Sequence, residues 1–313
     1  MENDVDAYAK FEGLFIPTVT PFDAKLDLDL KSLDRVARYQ ASIDGVAGLV
    51  SCARIGEGTV LRLEEKMKVH QAMGDAARAC GKMHLATIAP QSTDEAIETL
   101  RRLESMPVDG VMIFPPLLFA WGKVGGDLKV RFFEDLTKAS KLPVVLFQIP
   151  VQSYWYDAET VTRIAALPNV VAFKEASFNL ELFTETCRQL KAAGRKMRVM
   201  TGNDRFVGKS YELGAVGALI GVANLAVDRW AALDRAGRAG DFRTALEIQQ
   251  ELKKISELVF AEPIVEAVAR IKAILQDEGH IASAGVRRPQ MGISEAEKQI
   301  LLKAYRTLRA VAA

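Results

Sequence analysis

The chain has 313 residues, 49% of them hydrophobic and 26% charged, with a formal net charge of +1 at pH 7. That is the balance of an ordinary globular protein with enough apolar content for a full core. No block of like charge and no apolar run near the ~18 residues of a membrane span occurs, so neither nucleic acid nor membrane is expected as a partner.

Short apolar runs alternate with longer helical segments. Leu14–Val19 is the first run and ends at Thr20-Pro21-Phe22; a helix follows with Leu30, Leu33, Val36 and Ala37 on one face. Gly45–Cys52 is the second, and Leu63, Met67, His70 and Met73 mark the next helix by their spacing. Met83–Ala89 is the third, closed by Pro90, and its helix opens with Ser92 and Glu95 at capping-box spacing. Gly110–Phe114, Val144–Ile149 and a run ending Val170-Val171-Ala172-Phe173-Lys174 are the fourth to sixth. Met197–Met200 and Val216–Val222 are the seventh and eighth. Continuous apolar strands alternating with helices imply a parallel sheet covered on both faces. Eight of them by about residue 224 predict an α/β fold, a closed (β/α)8 TIM barrel, with an open doubly wound sheet as the alternative.

After residue 225 the strands stop. Asp228–Phe260, Ile264–Glu278 and Ser294–Ala312 read as helices. Residues 1–225 are therefore assigned to the barrel. Residues 226–313 are assigned to its last helix and a helical appendage, packed on the barrel or on a neighbouring subunit. Cys52, Cys80 and Cys187 are odd in number and far apart, which offers neither a disulfide framework nor a CxxC metal site. No His/Asp/Glu grouping has metal spacing, and His70 and His84 read as structural. Met1–Asp6 is acidic and lacks the signal-peptide pattern, so a cytoplasmic location is expected.

Barrel enzymes gather their chemistry at the C-terminal strand ends. The sixth run delivers Lys174 there. A desolvated lysine is driven towards the neutral amine, which can attack the carbonyl of a 2-oxo acid; a salt-bridged strand-end lysine is the alternative. The second strand leads into Arg54-Ile55-Gly56-Glu57-Gly58, where Arg54 could hold a carboxylate in bidentate fashion. The fifth ends Phe147-Gln148-Ile149-Pro150-Val151-Gln152-Ser153-Tyr154-Trp155-Tyr156. These residues form either a pocket wall with amide and hydroxyl contacts or an aromatic-filled loop. Gly202 and Gly221 could form a phosphate or flavin site, or simply allow close packing of turns.

Taken in order, these residues resemble the dihydrodipicolinate synthase/N-acetylneuraminate lyase family of Schiff-base aldolases over nearly the whole chain. Thr20-Pro21-Phe22 matches the family's T-P-F, and Gly56-Glu57 the end of its G-T-T-G-E loop. Pro115-Pro116, Pro143–Pro150, Phe173-Lys174-Glu175, Gly202-Asn203-Asp204 and Gly214–Asn224 match its later motifs. Each is weak alone, but the order and spacing are specific. The resemblance implies a barrel with a C-terminal helical extension, assembled as a homo-oligomer (tetramer or dimer). It implies no cofactor, and Lys174 as the residue that condenses with pyruvate or another 2-oxo acid. Arg54, Ile55, Phe147, Gln148, Ser153, Gly202 and Ile220 fall at substrate-binding positions, Ile220 as the pocket-lining residue of strand 8.

The chain also departs from that pattern. The family's strand-5 tyrosine, which relays protons, is Phe147, with no ionisable group. Its two threonines are Arg54 and Ile55, its strand-4 tyrosine is absent from Leu117-Leu118, and a glycine of the strand-5 loop is Tyr154, expected to narrow the pocket. The expected activity is therefore a lysine Schiff-base lyase, aldolase or sugar-acid dehydratase, rather than a genuine dihydrodipicolinate synthase. A non-catalytic paralogue that binds a 2-oxo acid is the alternative.

Overall fold

A computed structural model describes residues 8–312; the acidic start, Met1–Asp6, lies outside the described residues. Among these, β1 (Gly13–Pro17), β2 (Val46–Ser51), β3 (Met83–Ile88), β4 (Gly110–Ile113), β5 (Val144–Gln148), β6 (Val170–Glu175), β7 (Arg198–Thr201) and β8 (Gly217–Leu219) pair in parallel in chain order. Gly13–Phe15 pairs with Gly217–Leu219, which closes the sheet into a barrel and excludes the open alternative. Helices α1 (Leu30–Ser42), α2 (Leu63–Ala79), α3 (Thr93–Leu103), α4 (Gly126–Ala139), α5 (Ala158–Ile164), α6 (Leu180–Ala192), α7 (Val207–Glu212) and α8 (Val227–Arg238) follow the strands in turn.

Side chains on a strand alternate between faces, and the two faces form two cores. Phe15, Val50, Leu85, Met112, Val145, Ala172, Met200 and Leu219 fill the barrel interior. Ile16, Leu49, Ala86, Ile113, Leu146, Phe173, Val199 and Ala218 pack outward in the larger core with the helices. Ser51, His70 and His84 are buried among these outward contacts. A carbonyl only accepts, so His84 Nδ1–H donates to Pro107 O at 2.8 Å. The Ser51 hydroxyl then donates to His84 Nε2 and accepts from His70 Nδ1, each at 2.7 Å. Burial lowers the His84 pKa to about 4 and holds His70 well below the ordinary value, so both are neutral links between sheet and helix.

Two expected elements are shorter than the apolar pattern suggests. The eighth run forms a strand only to Leu219 and then turns through Gly221–Asn224. Asn224 enforces that turn: its Nδ2 donates to Pro17 O and Gly221 O, and its Oδ1 accepts from Val19 N–H. The segment expected as one helix over Asp228–Phe260 divides into α8 and α9 (Phe242–Val259). Gly240 takes φ +80° at the break, a conformation that costs glycine little, and Asp241 caps α9 by accepting from Thr244 N–H.

The appendage continues with α10 (Ala267–Asp277) and α11 (Glu295–Ala312). Its anchor is an ion pair between Lys272 of α10 and Glu57 of the β2 loop, both without exposed side-chain surface. Lys272 also donates to Gly285 O at 2.8 Å, and Glu57 accepts from Arg287 N–H and the Gln290 amide. The Phe22 ring lies 4.3 Å from Lys272 Nζ and 4.6 Å from the Arg287 guanidinium. Removing one partner of a buried pair strands the other charge. Lys272→Met is therefore expected to destabilise the protein by about 3–5 kcal/mol, read as a lower urea midpoint with an unchanged slope.

Candidate active site at the barrel mouth

The β5–β6 register sets Phe147 beside Lys174. Both face the barrel interior, because they continue the inward alternation of Val145 and Ala172. Lys174 is 7% exposed, and its Nζ sits 4.1 Å from the centre of the Phe147 ring. Burial lowers its pKa from the ordinary 10.5 to about 7; the charge of Asp204 opposes that shift and Arg54 adds to it. The strand-end lysine is therefore close to balanced between ammonium and free amine at neutral pH, and among the described residues no close salt bridge holds the charge.

The next residue, Glu175, points the other way. It has no exposed surface and accepts from Gln148 Nε2 at 3.0 Å, Asn203 Nδ2 at 2.7 Å and Ser177 N–H at 3.1 Å. Asn203 also donates to Glu175 O and accepts from Phe178 N–H, while Gly202 N–H donates to Glu175 O. These bonds draw the β7 loop tightly over the end of β6. Glycine is required at position 202: a Cβ there would lie 2.7 Å from Ala176 Cβ and 3.0 Å from Lys174 Cε.

Above Lys174 is a cavity of about 440 Å³, lined by Arg54, Ile55, Phe114, Phe147, Ile149, Pro150, Ser177, Phe178, Gly202, Asp204 and Leu219 among others. A second cavity of about 520 Å³ adjoins it and shares Phe178, Asp204, Arg205, Phe260, Glu262 and Ile264 with it. Asp204 is 7% exposed and accepts from Val222 N–H at 3.1 Å. Burial raises its pKa to about 6, opposed by the Val222 hydrogen bond and by Lys174 and Arg54. Arg54 is half-buried, and one guanidinium nitrogen donates to Ile264 O in the segment between α9 and α10. That bond fixes its reach and leaves the rest of the guanidinium in the cavity wall. Among the described residues no group of three metal-ligating side chains occurs and no helix is long and apolar enough to cross a membrane.

Lys174, Arg54, Ile55, Phe147 and Gly202 thus meet at one cavity, and the other expected site residues do not. Gln148 is fully buried with its amide committed at both ends, Nε2 to Glu175 and Oε1 to Tyr156 N–H. Ser153 is exposed in the turn Gln152–Tyr154 and lies outside the cavity lining. Ile220 belongs to the outer core, and Leu219, one residue earlier, lines the cavity in its place. Tyr154 packs against the outer core and does not narrow the pocket. The neighbouring Tyr156 ring packs edge-on against Phe119 and Phe133, so the loop aromatics serve packing.

The fold and this site define a (β/α)8 barrel with a buried lysine at the C-terminal end of its sixth strand. The model of the dihydrodipicolinate synthetase family matches residues 10–308, and the chain belongs to that family. It is 33% identical over 301 residues to the 4-hydroxy-tetrahydrodipicolinate synthase of Sorangium cellulosum, covering 95% of this chain and 96% of that protein. To that of Moorella thermoacetica it is 31% identical over 293 residues, covering 92% and 95%. The solved dihydrodipicolinate synthase of Thermotoga maritima shares the fold, with a TM-score of 0.88 at 24% identity and coverage of 96% and 99%.

An amine whose pKa is lowered to about 7 is neutral above that pH and reacts with acylating reagents there. Labelling of Lys174 by a small acylating reagent, followed by peptide mapping across pH, should rise to half its maximum near pH 7.

Proposed function

We propose that this protein is a lyase that forms a Schiff base between Lys174 and a 2-oxo acid. The observation that carries the reading is the setting of Lys174: a buried amine, tuned towards neutrality, at the inner end of a cavity that also presents Arg54. The substrate carboxylate would take the free guanidinium face, a charge-assisted and potentially bidentate contact. The free amine would attack the adjacent carbonyl and water would leave, giving a protonated imine. That imine is an electron sink for aldol cleavage or for β-elimination of water.

The named relatives suggest 4-hydroxy-tetrahydrodipicolinate synthesis as one outcome, yet the lining argues against it here. Loss of one positioned acid–base group costs about 10²–10⁴ in rate. Phe147 and Ile55 supply no ionisable group where the family resemblance places its relay. The lining also bears on the substrate. Phe114, Phe147, Ile149, Pro150 and Val151 make the wall around Lys174 largely apolar. A polyhydroxylated substituent would leave hydroxyls unpaired there at about 1–3 kcal/mol each. A 2-oxo acid with an aromatic or other apolar substituent fits this wall better than a sugar acid.

Borohydride reduction with pyruvate and with longer aliphatic and aromatic 2-oxo acids tests the reading. The expected result is a mass increase on the peptide carrying Lys174, at lowest concentration for an aromatic substituent, and none in Lys174→Ala. Arg54→Ala should raise the half-saturating concentration about 10- to 100-fold, as expected for a lost hydrogen bond to a charge. Binding of these acids without an adduct on Lys174 would instead identify a non-catalytic 2-oxo-acid-binding protein.

A further inference from the structure

Schiff-base formation needs a group that moves protons between the lysine nitrogen and the departing oxygen, and Phe147 cannot do it. The carboxyl groups near the cavity differ in their availability. Glu175 faces away from it, with both oxygens engaged by Gln148, Asn203 and Ser177. Glu262 is exposed and accepts from the Ile264 N–H of its own turn. Asp204 lines the cavity together with Lys174 and Arg54. Among the described residues the only donor from another residue is Val222 N–H, to Oδ1, beside the backbone N–H of Asp204 itself, so no other residue donates to Oδ2. The loop holding it crosses the lysine itself, since Gly202 is packed against Lys174 Cε.

We propose that Asp204 is the proton carrier for Schiff-base chemistry at Lys174, taking the part left empty by Phe147. The inference rests on the reading of Lys174 given above. One proton divided between Asp204 and Lys174 has two placements, carboxylate with ammonium or carboxylic acid with amine. In the second form the amine attacks the carbonyl carbon, and the C–N bond forms as the carbonyl π pair moves to oxygen. The Asp204 acid gives its proton to that oxygen, takes one back from the nitrogen, and gives it again to the hydroxyl. The C–O bond then breaks and water leaves. One acid, one amine and one carbonyl become one carboxylate, one protonated imine and one water, with charge balanced throughout.

The supporting electrostatics are mutual: the charges of Lys174 and Arg54 act on Asp204, and those of Asp204 and Arg54 act on Lys174. Arg205 and Glu262 are the other charged groups of the lining.

The test is the rate at which pyruvate becomes reducible onto Lys174, measured by quenching into borohydride over time. Asp204→Asn retains an oxygen for the Val222 N–H bond and loses the proton. It is expected to slow adduct formation by about 10²–10⁴-fold with the melting temperature unchanged. Asp204→Ala is the second variant. Added formate should restore part of its rate and leave the wild-type rate unaltered. An Asp204→Asn protein that forms the adduct as fast as wild type overturns the inference alone. So does slowing in Asp204→Ala that formate does not relieve, which would mark a structural role. A wild-type protein that forms no adduct overturns the reading of Lys174 and this inference with it.

Discussion

The ion pair between Glu57 and Lys272 holds the barrel mouth in shape. Two charges without solvent contact lose several kcal/mol each on burial, and only close approach and added hydrogen bonds offset that cost. Here the extra bonds come from Gly285 O, Arg287 N–H and Gln290. They gather the β2 loop, α10 and the segment before α11 at one point. Glu57 adopts φ +54°, and Gly58 beside it admits no side chain, since a Cβ would lie 1.8 Å from Cys52 O. So tight a loop fixes where Arg54, three residues earlier, can point.

The consequence reaches the cavity from the other side. Arg54 donates to Ile264 O, eight residues before Lys272, so the helical appendage and the barrel are joined on both sides of the same wall. Phe260, Glu262 and Ile264 line both chambers. The C-terminal helices are therefore part of the candidate site as well as a cover for the barrel's flank. A chain ending after α8 would leave Arg54 without its tether and the cavity without one wall.

Most of the barrel was legible because its signal is local. Each strand is a short apolar run stopped by proline, glycine or a polar turn, and outward residues at alternate positions tie each run to its helix. What escaped depended on contacts distant in sequence. Asn224 ends β8 early through Pro17 and Val19, some two hundred residues away. That early end matters for the site. The alternation of a strand is decided by its register, and a one-residue error exchanges the faces. Ile220 was expected in the pocket from the family resemblance, and Leu219, one residue earlier and on the other face, stands there. Gln148 has the composition of a ligand contact, but its amide is consumed by Glu175 and Tyr156. The wall contributed by residues 260–264 carries no pattern of its own: Ala261-Glu262-Pro263 reads only as a break between helices. The division of Asp228–Phe260 was within reach, because Ala239-Gly240-Asp241 combines a helix-ending glycine with a capping aspartate.

Phe147 does two opposed things at the centre of the site. In place of a tyrosine it removes a hydroxyl that could exchange protons with Lys174. The same ring lies 4.1 Å from Nζ and supplies apolar surface, so it contributes to the desolvation that dominates the lysine's lowered pKa. A phenyl face also attracts a cation, by about 0.5–2 kcal/mol, which opposes deprotonation. Desolvation prevails at Lys174, as the direction of its shift shows. The net effect of this residue type is thus to favour the attacking form of the amine while depriving it of the nearest proton carrier. A site built that way needs its acid elsewhere in the wall, and Asp204, raised towards neutrality by the same burial, is the buried carboxyl of the lining, whereas Glu262 is exposed.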